Sequence, residues 1–112
     1  LVWESLLAAD ELEKEGISCE VINIHTIKPL DEEIILKSVE KTGKIVTAEE
    51  HNYLGGLGES VAGMLARKRP TIQEFVAVND TFGESATPAE LMKKYKIDAA
   101  AVKEAVKRIM KR

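Results

Sequence analysis

A single cysteine, Cys19, stands in these 112 residues, so no internal disulfide is available. No apolar run approaches the roughly 18 residues needed to cross a bilayer. Charge of neither sign dominates: 16 basic residues against 19 acidic ones leave a net charge of −3. A field that weak and mixed excludes the strong electrostatic attraction by which nucleic acids and anionic membranes are held. The basic end, Lys103, Lys107, Arg108, Lys111 and Arg112, reads as a solvated helix face, because cations favour helix C-termini. The chain opens at Leu1, already inside a helical pattern, with neither the basic start nor the small-residue cleavage site of a signal peptide. A further segment upstream and a cytoplasmic location are therefore expected.

Several chemistries also lack their residues. His25 and His51 are the only histidines and Cys19 the only thiol, so a zinc site has too few ligands at suitable spacing. Neither Ser60 nor Ser85 lies in a nucleophile elbow, and Cys19 falls in an apolar stretch where a thiol is ordinarily inert. The loop Gly55-Gly56-Leu57-Gly58 is neither a dinucleotide fingerprint nor a P-loop. It suits tight turning, close packing or a partner contact, and secondarily a small anion held by free amides at a helix N-terminus.

What is present is enough apolar material, 45% of the residues, for one domain with a real core across residues 1–112. Val2, Leu6, Ala9 and Leu12 recur at helical spacing from Leu1 to Glu15, and Gly16 supplies the stop. Cys19, Val21, Ile22 and Ile24 predict a buried strand over 19–24, ended before Lys28-Pro29. Asp31 caps a helix carrying Ile34, Ile35, Leu36 and Val39, which Thr42-Gly43 closes before a strand over 44–48. A helix with Val61, Met64 and Leu65 runs to Arg69-Pro70, and a third strand follows over 74–78. Thr87, Pro88 and Glu90 form a capping box for a helix through Tyr95, and Asp98 is expected to cap a final helix with Ala101, Val102, Ala105, Val106 and Ile109. Strands alternating with helices predict an α/β fold: a three-layer α/β/α sandwich around a mostly parallel sheet.

The candidate site is Glu49, Glu50 and His51 with Gly55, Gly56 and Gly58. The first three lie at the carboxyl end of an expected strand, where open α/β sheets place ligand groups. Two carboxylates beside an imidazole suit acid–base work or a metal. They equally suit an interface in which His51 hydrogen-bonds across a boundary and one glutamate neutralises it, and this second reading is preferred.

Ile24-His25-Thr26-Ile27-Lys28-Pro29-Leu30-Asp31, then Val46-Thr47-Ala48-Glu49-Glu50-His51 and Gly55-Gly56-Leu57-Gly58, together resemble the transketolase C-terminal domain family. Asp80-Thr81-Phe82-Gly83-Glu84-Ser85, followed by Glu90-Leu91 and Lys94-Tyr95-Lys96-Ile97-Asp98, resembles the closing signature of transketolases themselves. The same order of motifs occurs in deoxyxylulose-phosphate synthase and in the beta subunits of 2-oxoacid dehydrogenases, and these remain alternatives. So does a free-standing anion-binding or regulatory module. The resemblance implies an enzyme that binds thiamine diphosphate and magnesium between pyrophosphate-binding and pyrimidine-binding domains, and that moves a two-carbon ketol unit between sugar phosphates in the pentose phosphate pathway. It implies no catalytic, cofactor or metal residue on this chain. It implies instead a domain that packs on the pyrimidine-binding domain and helps a homodimer form, with Glu49 to Gly58 as the contact surface. It further implies a strand ahead of Leu1, seated between the strands over 19–24 and 44–48.

Overall fold

A computed structural model describes residues 2–24, 29–50, 56–78 and 87–112. In chain order these form α1 (Val2–Lys14), α2 (Glu32–Thr42), β1 (Lys44–Glu50), α3 (Leu57–Lys68), β2 (Ile72–Val78) and α4 (Pro88–Met110). β1 and β2 pair in parallel, with Lys44 opposite Ile72 and Glu50 opposite Val78, so both strands end on the same side of the molecule.

Helix boundaries follow from local chemistry. Gly16 (φ 87°) and Gly43 (φ 76°) end α1 and α2 in the left-handed region that a side chain disfavours. Asp31 Oδ1 accepts from Ile34 N at 3.5 Å at the start of α2, and Gly43 N donates to Val39 O at 2.8 Å at its end. At α4, Thr87 Oγ1 accepts from Glu90 N at 3.2 Å and donates to the Glu90 carboxylate at 3.0 Å, with Pro88 in the first turn.

The period-two alternation of β1 divides its side chains between two layers. Val46 and Ala48 pack with Ala8 of α1, Val76 of β2, and Val102 and Ala105 of α4. Ile45 faces the opposite way, onto Ile35 and Val39 of α2 and Val61, Met64 and Leu65 of α3. Helices therefore cover both faces of the sheet, as the sequence predicts. Each large side chain removed from water here, such as Met64 or Leu65, contributes about 1.5–3 kcal/mol.

Ion pairs complete the α1–α4 contact. Lys103 lies 2.6 Å from Glu15 and 3.6 Å from Glu11, and Lys107 lies 3.0 Å from Glu15. The two lysines hold the Glu15 carboxyl below its ordinary range, and Glu15 in turn raises Lys103. At the far end of α4, Lys44 Nζ donates to the carbonyls of Met110 and Arg112 at 3.4 and 3.3 Å.

Three sequence expectations are corrected. Residues 19–24 are not a strand: they run without helix or ladder, because a strand needs a paired neighbour and none of the strands among the described residues pairs with them. The last two helices are one, because no glycine or proline interrupts residues 89–110, and Asp98 is a buried interior residue of α4 rather than a cap. The buried stripe of α1 is Glu4, Ala8 and Leu12, while Leu6, expected inside, is exposed.

Replacing Thr87 with alanine removes the acceptor for Glu90 N. Stability in a denaturant melt should fall by about 0.5–2 kcal/mol, and an unchanged midpoint would show that α4 does not depend on this cap.

Candidate functional site

Beside the N-terminus of α3, the two strands bring together one cluster of polar and aromatic groups: Thr47 and Glu49 of β1, and Gln73 and Phe75 of β2. Gly56, at the N-cap of α3, has no side chain with which to satisfy the free amides of the first turn. Glu49 does so from the end of β1: its Oε2 accepts from Gly58 N at 2.6 Å. A carboxylate at the positive end of a helix dipole is favourable in its own right, and the short distance is typical of a charge-assisted bond.

Gly58 is fixed on its other sides as well. A Cβ built on it would sit 2.6 Å from Phe75 Cδ2 and 2.9 Å from Glu49 Oε2. Only a residue without a side chain lets α3 approach β2 this closely, which is the packing alternative read from the sequence. Gln73 Nε2 donates to Gly58 O at 3.0 Å and to Thr47 Oγ1 at 3.1 Å, and thereby ties both strands to α3. Thr47 is buried, whereas Phe75 is 43% exposed and offers the outer part of its ring to solvent.

Of the six sequence candidates, the structure brings Glu49, Gly56 and Gly58 together. His51, Gly55 and the side chain of Glu50 lie outside the described residues. Thr47, Gln73 and Phe75 were missed, because their link to the loop spans two strands and leaves no local pattern. Among the described residues no three His, Cys, Asp or Glu side chains converge to hold a metal ion. Gly58 N, the amide a bound anion would use, already serves Glu49.

A second feature lies beside β1. A cleft of about 330 Å³ separates the edge of β1 that faces away from β2 from residues 17–24, lined by Ile22, Ile24, Ile45, Val46, Val61 and Val106 among others. Its walls are mainly apolar, and residues of all four helices contribute to its lining. Cys19 borders it, and burial pushes its thiol up, away from the reactive thiolate.

Comparison with known proteins places these features. The chain matches the family described as transketolase, C-terminal domain, over residues 1–102. It is 42% identical over 112 residues to the 6-deoxy-6-sulfo-D-fructose transketolase subunit SqwH of Clostridium sp. (strain MSTE9), covering 100% of this chain and 35% of that protein. To the transketolase of Homo sapiens it is 42% identical over 105 residues, 93% of this chain and 17% of that one. Among solved structures, a split gene transketolase in an inactive beta4 tetramer superimposes with a TM-score of 0.81 at 43% identity, over 98% of this chain and 36% of the other. The chain thus spans about a third or less of the length of these relatives.

A methyl group at position 58 has no room between Phe75 and Glu49. Gly58→Ala should destabilise the fold by about 1–3 kcal/mol through forced displacement of α3. Adding Phe75→Leu should recover part of the loss, and strict additivity of the two changes in thermal melts would show that the ring is not the obstacle.

Proposed function

This chain belongs to the transketolase C-terminal domain family, and we propose that it is the structural, interface-forming domain of a transketolase that transfers two-carbon ketol units between sugar phosphates. The family match over nearly the whole chain carries this reading. The site supports it through what its groups already do: Glu49, Gly58, Gln73 and Thr47 are engaged with one another in holding α3 to the sheet. A carboxylate committed to a helix N-terminus is poorly placed to move a substrate proton.

The same observation bears on the cofactor. Among the described residues no metal ligands converge, and Gly58 N is engaged with Glu49, which supports placing thiamine diphosphate and magnesium outside this domain. In this reading thiamine diphosphate and magnesium are held by pyrophosphate-binding and pyrimidine-binding domains or subunits. This domain would then contribute surface: the Glu49 to Gly58 region meets the pyrimidine-binding domain and supports a homodimer in the cytoplasm. The solved relative is itself described as a beta4 tetramer, in keeping with assembly through such subunits.

The cleft beside β1 belongs to the same reading. We propose that it receives one β-strand from a segment upstream of Leu1, parallel to β1 and between β1 and residues 19–24. Strands in a sheet lie about 4.8 Å apart, and a strand seated there would offer ladder partners both to β1 and to residues 19–24. Apolar walls on both faces suit the near-continuous hydrophobic composition of a central parallel strand.

Two outcomes are expected. Calorimetric titration of this chain with thiamine diphosphate and magnesium should give no binding heat, and micromolar affinity would overturn the assignment of the cofactor to other domains. In hydrogen exchange, amides of β1 directed away from β2 should exchange readily in the 112-residue chain and become strongly protected in the complete enzyme. Equal exchange in both would exclude a strand in the cleft.

A further inference from the structure

The two walls of the cleft beside β1 are each held by contacts that do not involve an occupant. On the outer side Ile17 N donates to Leu12 O at 2.9 Å, and Glu20 lies 3.4 Å from Lys41 in the last turn of α2. Ile24, further along the same wall, packs against the core shared by α2 and α3. On the inner side β1 is held along its whole length by the ladder to β2. Neither wall needs a strand between them to keep its place, and about 330 Å³ stands open there.

The opening has the chemistry of a sheet interior. Five consecutive residues of β1, Lys44 to Ala48, line it, and among the described residues that edge of β1 has no ladder partner. The charged groups on its rim are engaged elsewhere: Lys44 with the carbonyls of Met110 and Arg112, and Glu20 with Lys41. Apolar side chains and a row of main-chain donors and acceptors remain. A small apolar molecule leaves such a row unsatisfied, whereas an extended peptide pairs with it.

We propose that the cleft is a preformed acceptor: it takes up an apolar peptide in extended form from a separate chain, pairs it with the edge of β1, and does so without refolding the domain. This rests on the reading of the cleft as the seat of a strand, and adds that the strand need not be covalently joined to the domain. An acceptor already in place spares most of the ordering that would otherwise oppose binding.

The test uses the 112-residue chain and a synthetic peptide of valine, isoleucine and alanine flanked by lysines, about six apolar residues long, as strands commonly are. An analogue of the same sequence, N-methylated at every apolar residue, keeps the apolar surface and loses the donors. A cooperative melt before any peptide is added, and micromolar binding of the unmethylated peptide by calorimetry, are expected. The methylated analogue should bind at least about tenfold more weakly. Ile22→Lys, which places a charge on the outer wall, should weaken binding by a similar factor. Should that variant fail to fold, the pair of peptides on the unaltered chain decides alone. Equal binding of both peptides would overturn the proposal as mere apolar adhesion. A chain that folds only with peptide present would overturn it too, since the acceptor would not be preformed. If no peptide binds while the edge of β1 is protected from hydrogen exchange in the complete enzyme, uptake from a separate chain alone fails. If that edge exchanges freely in the complete enzyme, the cleft is not the seat of a strand at all.

Discussion

Parallel pairing between β1 and β2 obliges the chain to travel back along the sheet before the second strand can begin, and α3 is that return path. From this follows the position of everything else. Both strands finish at one end, and the start of α3 is delivered to that end beside them. Glu49, at the end of β1, therefore meets a helix N-terminus without any further arrangement of the chain. Gly58 meets Phe75, midway along β2, because the crossover brings the first turn of α3 against the neighbouring strand. The opposite face of the pair is closed by α4, whose far end is held to Lys44 at the beginning of β1.

Features governed by neighbours in sequence were legible in it. Asp31, Gly43 and Thr87 announce helix ends because capping is a matter of three or four residues, and each performs the expected role. The strands near 44–48 and 74–78 were legible from β-branched runs, and both extend slightly further than read. Residues 19–24 have the same composition, but a strand is a property of two segments, and composition reports only one. The division of the last helix at Asp98 failed for a related reason. Asp98 suits a cap, yet an uninterrupted run of helix formers around it and burial of that turn favour continuation.

At the site, sequence supplied the residues but not their relations. Glu49 was read as one of two carboxylates near a histidine, whereas its placed partner is a backbone amide, which no residue pattern advertises. The glycine loop was read as suited to packing, a partner contact or a small anion, and the ring that crowds Gly58, Phe75, lies 17 positions away across a helix. The stripe of α1 differs from the apolar spacing because it includes Glu4, which is buried, and leaves Leu6 exposed. Family resemblance identified the domain where these long-range relations were out of reach.

The contact between α1 and α4 joins the first helix of the chain to the last. Glu11 and Glu15 find Lys103 only after about ninety further residues have been made. At ribosomal rates of about 5–20 residues per second, Ala8 and Leu12 wait for roughly 5–20 seconds before the surface that buries them exists. Such separation between partners slows the search for the native arrangement. During synthesis α1 therefore lacks its α4 partner until the last helix has been made, so this contact closes late.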